Sequence, residues 1–403
     1  MKEGWEYKTL GEVVSFSRGL TYKKSDEVDY STKVVLRSTN INVDNNSLNI
    51  DELKYLNENI EVEEEKLIKK GAILICMSNG SKKHLGKVAL IEHDYKYAFG
   101  GFMGLLTPVI KINSKYLYYT LTTPKYKEYI KSLSEGANIN NLKIKDIQKY
   151  IIPIFPLDEQ RRIVSYLDSS FKLIDEIKNK ALKSLTEAKA LFQSALAEAM
   201  EPKEGWEEKT LGEICLIVGR IGFRGYTRKD IVTNKKDGAI TLSPSNIVNG
   251  NMCYNNCTYI SWFKYNESPE IKIQNGDILI VKTGSSYGKS AFVENLPHKA
   301  TINPQFVVLK DIKINHKFLS YQLKTKKTYD YINSIVSGSA IPTFSQANLS
   351  KMLISLPPLP TQKQIVSHLD KLSSKVRAIE EKYQKMVEEC DALKQAMLRD
   401  VFE

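Results

Sequence analysis

The chain has 403 residues, of which 42% are hydrophobic and 26% are charged, as is typical of a globular protein. No apolar run approaches the roughly 18 residues of a membrane span, and Met1–Trp5 opens no signal-like stretch. We therefore expect a cytoplasmic protein with no membrane partner.

The net charge of +11 favours a polyanionic partner, because basic side chains neutralise phosphates and release counterions. Cys253 and Cys257 have half of a zinc-knuckle spacing, but a second ligand pair is missing, so no metal is expected.

Residues 1–157 are predicted to form a domain of mixed α and β structure. Val34–Leu36 and Ile73–Met77 are short runs rich in apolar and β-branched residues, which is typical of strands. Tyr116–Tyr129 has the apolar spacing of a helix, in which Pro124 would introduce a kink.

Residues 158–202 are predicted to form one long helix. Pro153 and Pro156 end the preceding domain, and Asp158 is placed to cap the helix. Apolar residues then recur at steps of three and four, and this series includes Leu167, Ile174 and Leu185. At ~1.5 Å per residue, a helix of about 40 residues is about 60 Å long.

Residues 203–359 and 360–403 are predicted to repeat this arrangement. Ile278–Val281 and Phe306–Leu309 are β-prone, and Phe318–Ile332 has helical spacing. After a second proline cluster, Thr361 is placed to cap another long helix. Its apolar residues form an unbroken heptad seam, as in a coiled coil, and the seam includes Leu369, Val376, Ile379, Tyr383 and Leu393.

The two halves of the chain are a tandem repeat. Lys2–Glu12 and Lys203–Glu213 are identical at ten of eleven positions, and Pro156–Asp168 matches Pro358–Asp370 in its Pro-Leu-x-x-Gln-x-x-Ile-Val-Ser-x-Leu-Asp pattern. Between these anchors the similarity is faint. The repeat therefore indicates one scaffold that carries two different surfaces, and the tryptophan in each opening segment (Trp5 and Trp206) is expected to serve the scaffold.

The predicted fold is α+β, with two similar α/β domains alternating with two long helices. A single heptad stripe cannot bury itself, so we expect the helices to pair as an antiparallel coiled coil that relates the halves by a pseudo-two-fold axis. The alternative is that each helix packs on its own domain. Two similar basic domains on a rigid spacer resemble a dimeric DNA-binding protein in a single chain; such dimers contact half-sites about 34 Å apart.

The order of domains and helices, the Gly-Trp-Glu and Thr-Leu-Gly-Glu opening and the Pro-Leu-x-x-Gln-x-x-Ile-Val motif resemble the specificity subunit of type I restriction-modification enzymes over the whole chain. Arg18–Lys24 and Gly71–Leu74 are similar to segments of that family's target recognition domains. The resemblance implies target recognition domains at 1–157 and 203–359, spacer helices at 158–202 and 360–403, and an asymmetric, bipartite target in double-stranded DNA. It also implies two methyltransferase subunits and restriction/translocase subunits as partners. S-adenosylmethionine, ATP and Mg are then expected in those partners, with no cofactor in this chain.

Candidate DNA contacts are chosen by side-chain chemistry in the variable loops. Arg can bind guanine with two hydrogen bonds, Asn and Gln can bind adenine in the same way, and Lys usually contacts phosphate. In the first domain the candidates are Arg18, Tyr22, Lys23, Lys24, Arg37, Asn40, Asn79, Lys82, Lys83 and His84. In the second domain they are Arg220, Arg224, Tyr226, Arg228, Lys229, Ser245, Asn246, Thr283, Ser286, Tyr287 and Lys289. Arg18 matches Arg220, and Asn40 roughly matches Asn246.

Motifs that suggest catalysis are incomplete. Gly284–Ser290 resembles a P-loop but has three residues between its glycines where four are needed. Asn303–Phe306 resembles an amino-methyltransferase motif, yet no glycine-rich cofactor loop precedes it. We therefore expect no active site and no metal.

Two alternatives to the function as a specificity subunit stay open. One is a stand-alone DNA-binding regulator, which would need no enzyme partners, and the other is a self-contained modification enzyme, which would bind S-adenosylmethionine itself.

Overall fold

The computed structural model describes residues 6–42, 45–134, 141–220, 222–338 and 340–403. Trp5 lies outside these residues. The chain divides into two compact units, of which unit 1 comprises residues 1–182 and 384–403 and unit 2 comprises residues 183–383. Within the described ranges, no helix combines the length and apolarity that crossing a membrane requires.

The first domain contains ten strands and four short helices among the residues described, followed by a long helix. The strands are β1 (Glu6–Thr9), β2 (Val14–Arg18), β3 (Glu27–Val28), β4 (Lys33–Leu36), β5 (Lys54–Leu56), β6 (Ile73–Cys76), β7 (Val88–Leu90), β8 (Ala98–Phe99), β9 (Met103–Pro108) and β10 (Ile151–Ile154). The helices are α1 (Leu10–Val13), α2 (Ser114–Thr120), α3 (Pro124–Ser134), α4 (Ile144–Ile147) and the long α5 (Leu157–Ala199).

The second domain repeats this order and adds a small hairpin and one helix. The strands are β11 (Glu207–Thr210), β12 (Leu216–Gly219), β13 (Ile231–Val232), β14 (Gly238–Leu242), β15 (Ile247–Val248), β16 (Asn251–Met252), β17 (Thr258–Ser261), β18 (Ile278–Val281), β19 (Ser290–Phe292), β20 (Ala300–Ile302), β21 (Phe306–Lys310) and β22 (Leu353–Leu356). The helices are α6 (Leu211–Ile214), α7 (Trp262–Glu267), α8 (His316–Gln322), α9 (Lys326–Ile335), α10 (Gln346–Ser350) and the long α11 (Leu359–Phe402).

Each domain is built on two four-stranded sheets with the same topology. The first domain has the orders β2-β9-β6-β7 and β3-β5-β4-β8, and the second has β12-β21-β18-β19 and β13-β17-β14-β20. In each domain one more antiparallel pair, β1 with β10 or β11 with β22, joins the start of the domain to its end. The repeated sequence segments thus form the closing pair, and the predicted mixed α and β character of both halves is confirmed.

The central strand of each first sheet is buried on both faces, which explains its uninterrupted apolar sequence. In β6, Ile73 and Ile75 face the cluster that contains the helices, whereas Leu74 and Cys76 face the cluster shared with the second sheet. β18 alternates in the same way between two clusters.

The two predicted helices that precede the closing strands are each split in two. Pro124 does not kink a continuous helix; it is the first residue of α3, where proline's missing N–H costs nothing. The second domain breaks at the same place without a proline, and there the Thr325 hydroxyl caps α9 by accepting from the Thr328 N–H. The prediction of single helices over Tyr116–Tyr129 and Phe318–Ile332 was therefore wrong.

The long helices begin two and three residues earlier than their predicted caps imply. The Pro156 and Pro358 carbonyls already accept hydrogen bonds from the N–H groups of Gln160 and Gln362. Asp158 and Thr361 therefore lie inside the first turn and are not N-caps. The carbonyl group of a proline accepts a hydrogen bond like that of any other residue. Each long helix therefore starts directly after its proline.

The two long helices pair antiparallel within each unit. In unit 1, Lys178 Nζ lies 2.6 Å from an Asp391 carboxylate oxygen, and Lys394 Nζ lies 2.6 Å from Asp175 Oδ1. Leu167, near the start of α5, shares a cluster with Leu398 and Phe402 at the end of α11.

The same opposite direction holds in unit 2. Leu196 and Met200, at the end of α5, share a cluster with Val366 and Leu369 at the start of α11. The predicted antiparallel pairing of the helices is confirmed.

The seam between the helices differs from the predicted register at two positions. Leu167, Ile174, Leu369 and Val376 are buried, and Leu185 and Tyr383 are half-buried. Ile379 and Leu393, however, are 39% and 51% exposed. Their neighbours Glu380 and Lys394 turn toward α5 and form ion pairs with Lys189 and Asp175, so the heptad register was wrong at these two residues.

Each long helix also packs on its own domain, α5 through Leu167 and α11 through Leu369, so the two packing alternatives coexist. Leu167 lies in one cluster with Tyr116 and Tyr119 of α2. In the second domain, Trp206 packs against the core with its ring 6.3 Å from that of Phe318. This contact supports the predicted scaffold role of the repeated tryptophan for Trp206.

Candidate DNA interface

Three strands of the first domain end at one edge, around the turn formed by residues 100–102. β2 and β6 both run antiparallel to β9, so Arg18 pairs with Gly104 and Cys76 pairs with Met103 at the start of β9. β4 runs parallel to β8 and ends where the same turn begins. The chain leaves each of these strand ends into a segment that holds candidate DNA contacts.

Main-chain hydrogen bonds attach these segments to the turn. Leu20 N–H donates to Phe99 O at 2.7 Å, and Gly100 N–H donates to Leu36 O at 2.9 Å. The Phe102 carbonyl accepts from Met77 N–H at 2.9 Å and from Ser78 N–H at 3.1 Å. The topology therefore brings together segments 18–24, 37–40 and 78–84, which are far apart in sequence.

The second domain has the same edge around the turn formed by residues 303–305. Asn303 N–H donates to Leu242 O at 2.9 Å, and the Gln305 carbonyl accepts from Lys282 N–H at 2.7 Å. β12 and β18 end beside the start of β21, as β2 and β6 end beside β9.

Several predicted contacts of the first domain are exposed at this edge, and others are already engaged. Arg18, Lys23, Lys24 and Lys82 are exposed. Lys82 Nζ donates to Ser134 O at 3.3 Å, an exposed contact that binding could replace.

Arg37 and Tyr22 form a half-buried group with Glu27. Arg37 Nη1 lies 3.5 Å from Glu27 Oε1. Burial, and then the Glu27 carboxylate, raise the pKa of the Tyr22 hydroxyl. Arg37 thus carries a carboxylate partner that a DNA phosphate or base would have to displace.

The loop after β6 is internally ordered. Asn79 Nδ2 donates to Ser38 Oγ at 2.9 Å, and its Oδ1 accepts from Ser81 N–H at 2.9 Å. Burial, and then nearby Lys87, lower the pKa of His84, which favours its neutral form. The side chain of Lys83 lies outside the described part of the structure.

Asn40 and Asn246 are buried and hold the loops in which they lie, contrary to the prediction that they face DNA. Asn40 Oδ1 accepts from Arg37 N–H, and its Nδ2 donates to two main-chain carbonyls. Asn246 repeats this arrangement with Ser243 N–H and Cys253 O. Because both ends of each amide are used internally, neither residue is placed to bind adenine. Asn40 and Asn246 therefore match in sequence because they hold equivalent loops of the shared scaffold.

Arg220 is also buried, although its sequence match Arg18 is exposed. Its Nε donates to Ile302 O at 3.1 Å and its Nη2 to Thr301 Oγ1 at 3.2 Å. Its guanidinium lies 5.4 Å from the centre of the Tyr226 ring. Arg220 and Tyr226 therefore shape the edge of the second domain, and the matched residues Arg18 and Arg220 differ in exposure.

The remaining candidates of the second domain differ in exposure and in their partners inside the protein. Arg228, Lys229, Ser245 and Lys289 are exposed and Ser286 is half-buried, and the hydroxyl of Ser245 lies 2.7 Å from that of Ser243. Those with partners inside the protein are Arg224 with Glu270, Thr283 with Thr343, and Tyr287 with Asn333. The exposed cations of both domains are suited to phosphate contacts.

The two motifs that resemble a P-loop and an amino-methyltransferase site lie in turns of the second domain. Gly284–Lys289 connects β18 to the antiparallel β19, so no helix follows to bind a phosphate as in a P-loop. Asn303–Gln305 is the turn between β20 and β21. Among the described residues, no cluster of three or more His, Cys, Asp or Glu side chains could hold a metal ion.

Sequence reasoning missed the two residues at the centre of these edges, Phe102 and Gln305. Phe102 is 72% exposed and Gln305 is half-buried. Phe102 belongs to no motif that the sequence offers, and Gln305 stands out only as part of the methyltransferase-like segment Asn303–Phe306. The pairing of the strands shows that both residues lie between the candidate segments.

The fold therefore defines a class of protein in which one scaffold is used twice, with a variable edge of loops on each copy. The family described as Type I restriction modification DNA specificity domain matches residues 2–187 and 203–389. The chain belongs to this family.

Curated relatives extend over the full length of the chain. It is 27% identical over 425 residues to the type I restriction enzyme StySPI specificity subunit of Salmonella potsdam, with 100% of this chain and 89% of the relative covered. It is 24% identical over 418 residues to the EcoKI specificity subunit of Escherichia coli K12, with the same shares covered.

Solved structures show the same fold. A chain from a study of complex assembly and conformational transition of the type I R-M system superposes with a TM-score of 0.74 at 19% identity, over 99% of this chain and 97% of that one. The HsdS subunit from Thermoanaerobacter tengcongensis superposes with a TM-score of 0.50 at 19% identity, over 100% and 97% of the two chains.

Proposed function

We propose that this chain is the DNA sequence-recognition subunit of a type I restriction-modification system. The observation that carries the proposal is the pair of edges at which three strand ends meet in each domain. Both edges have the same main-chain frame, but their side chains differ. The two domains are therefore suited to bind two different short sequences, which together make an asymmetric, bipartite target.

Within each edge, affinity and sequence discrimination come from different residues. Exposed cations such as Arg18, Lys23, Lys82, Arg228 and Lys229 bind phosphates and set the salt dependence of binding. Discrimination comes from base contacts made by side chains at the turn and in the adjoining loops, because phosphate contacts carry no direct sequence information.

The chain itself performs no chemistry in this proposal. It directs two methyltransferase subunits and restriction/translocase subunits to the target, in the cytoplasm. Those partners would bind S-adenosylmethionine, ATP and Mg²⁺. The curated names of the relatives, which are specificity subunits of type I restriction enzymes, support this division of labour.

The test is to map genomic DNA methylation in cells with and without this chain, in the presence of its methyltransferase partner. We expect one bipartite methylated motif that disappears when the chain is deleted. The purified chain is expected to form a stable complex with two methyltransferase chains. A chain that forms no complex with a methyltransferase subunit, or that binds S-adenosylmethionine by itself, would contradict the proposal.

The salt dependence of DNA binding tests the location of the interface. Lys82→Glu, alone or with Lys83→Glu, should weaken binding and reduce the slope of log affinity against log salt concentration by about one for each phosphate that is no longer neutralised. Lys111→Glu is the matched control, because Lys111 is exposed beyond the opposite end of β9. Equal effects of the Lys82 and Lys111 variants would remove this edge from the interface.

A further inference from the structure

Phe102 is a large apolar side chain exposed at the edge of the first domain. It is 72% exposed and belongs to neither hydrophobic cluster that borders the central sheet. A single exposed apolar residue is ordinary on a protein surface and needs no explanation by itself. What distinguishes Phe102 is its position among the three candidate segments.

The backbone that carries Phe102 is firmly held. Its carbonyl accepts two hydrogen bonds, from Met77 and Ser78 at the start of the loop after β6. On the other side, a Cβ added to Gly101 would lie 3.4 Å from both Leu20 O and Thr21 Oγ1. The turn is thus fixed between two candidate segments while the phenyl ring projects into solvent, as a preorganised contact requires.

The equivalent residue of the second domain has different chemistry on the same frame. The Gln305 carbonyl accepts from Lys282 N–H and Thr283 N–H, as the Phe102 carbonyl accepts from Met77 and Ser78. The Gln305 amide is oriented by Asn303, whose Nδ2 donates to Gln305 Oε1 at 2.9 Å. One main-chain position therefore presents a phenyl ring in one domain and a carboxamide in the other.

These two side chains suit different bases in the major groove. A carboxamide can bind adenine through two hydrogen bonds, whereas an apolar side chain can contact the C5-methyl group of thymine. The backbone at this central position is the same in both domains, whereas the side chain it carries differs in chemistry. A residue that determines specificity requires such a combination.

We propose that Phe102 contacts a thymine C5-methyl group in the half-target bound by the first domain and so determines the base at that position. This inference rests on the proposed function of the chain. Phe102 adds an exposed apolar side chain to an edge that carries the exposed cations Arg18, Lys23 and Lys24, and Gln305 is the corresponding residue of the second domain.

The experiment uses the complex of the full chain with its methyltransferase partner and the target defined by methylation mapping. Each thymine of the half-target bound by the first domain is replaced in turn by deoxyuridine, which removes only the methyl group. Affinity is expected to fall about fourfold at one position, the equivalent of one buried methyl group. Phe102→Ala should bind both DNAs equally, so that the deoxyuridine penalty disappears.

Phe263→Ala is the control variant, because Phe263 is 74% exposed but lies on α7 of the second domain. It should keep the penalty unchanged, and thermal melting should show that both variants are folded. The inference is overturned if no thymine is sensitive, if the penalty persists in Phe102→Ala, or if the half-target contains no thymine on either strand. If the wild-type complex shows no sequence preference at all, the proposed function has failed as well.

Discussion

The side chain of Gln160 accepts a hydrogen bond through Oε1 from the main-chain N–H of Asn113 at 2.8 Å. Its Nε2 donates to Phe155 O at 2.8 Å, so one buried amide joins the start of α5 to the start of α2. Gln362 makes the same two hydrogen bonds in the second domain, with Asn315 N–H at 3.0 Å and Pro357 O at 2.9 Å. The glutamine of the repeated Pro-Leu-x-x-Gln motif therefore fixes each long helix to its own domain.

Removing this amide should destabilise the protein. Gln362→Ala leaves the Asn315 N–H and the Pro357 carbonyl without their buried partner, at a cost of about 1–3 kcal/mol in the free energy of unfolding. Gln364→Ala, on the exposed face of the same helix, should change it by less than about 0.5 kcal/mol. Urea denaturation measures both, and equal effects would mean that the amide is not an anchor.

The observed seam of the helix pair predicts which apolar residues matter for folding. Leu369→Ala removes a fully buried side chain and should cost about 2–5 kcal/mol. Ile379→Ala, at a position 39% exposed, should cost much less. Thermal and urea unfolding of the isolated chain compare the two, and a larger loss for Ile379→Ala would restore the heptad register expected from the sequence.

Alanine substitutions at Asn246 and Ser245 should affect the stability of the fold and the affinity for DNA separately. Asn246→Ala leaves the Ser243 N–H and the Cys253 carbonyl without partners in a buried loop, so we expect a loss of about 1–3 kcal/mol of stability. Ser245→Ala, in an exposed residue, should leave stability unchanged and weaken DNA binding. Loss of discrimination at one adenine in a fully stable Asn246→Ala variant would show that Asn246 contacts the base after all.

Stability should depend on the charge of Lys324. Burial, and then the nearby Arg377, lower the pKa of Lys324 to about 8, with Lys317 acting in the same direction and Glu294 and Asp370 opposing it. Below pH 8 the amine is protonated in both the folded and the unfolded chain, so burial of its charge reduces the stability of the fold. Between pH 8 and about 10.4, the pKa of an unperturbed lysine, the unfolded chain binds more protons and stability rises with pH.

Lys324→Met should therefore be more stable than the wild type at pH 7, on the order of 2 kcal/mol, with the difference shrinking as the pH approaches 10. Lys326→Met, in an exposed residue of the same region, serves as the control for titration elsewhere in the chain. Denaturation at a series of pH values measures both variants. A Lys324→Met variant that is less stable at pH 7 would show that the ammonium group stabilises the fold.

Periodicity and repetition predict the parts of this structure that depend on which faces are apolar. The two mixed domains, the two long helices and their antiparallel pairing all follow from such patterns. Polar side chains are harder to predict, because an arginine in a variable loop looks the same in sequence whether it faces DNA or, like Arg220, a buried carbonyl. Likewise, the exposure of Ile379 depends on whether its neighbour Glu380 finds a cation on the opposite helix.

The central claim is that each domain binds its own half of the target. The most direct measurement replaces residues 1–157 with the corresponding domain of another specificity subunit and maps the methylated motif in cells that contain the partner methyltransferase. We expect one half of the bipartite motif to change while the half bound by residues 203–359 stays the same. A motif in which both halves change, or in which neither does, would contradict the account.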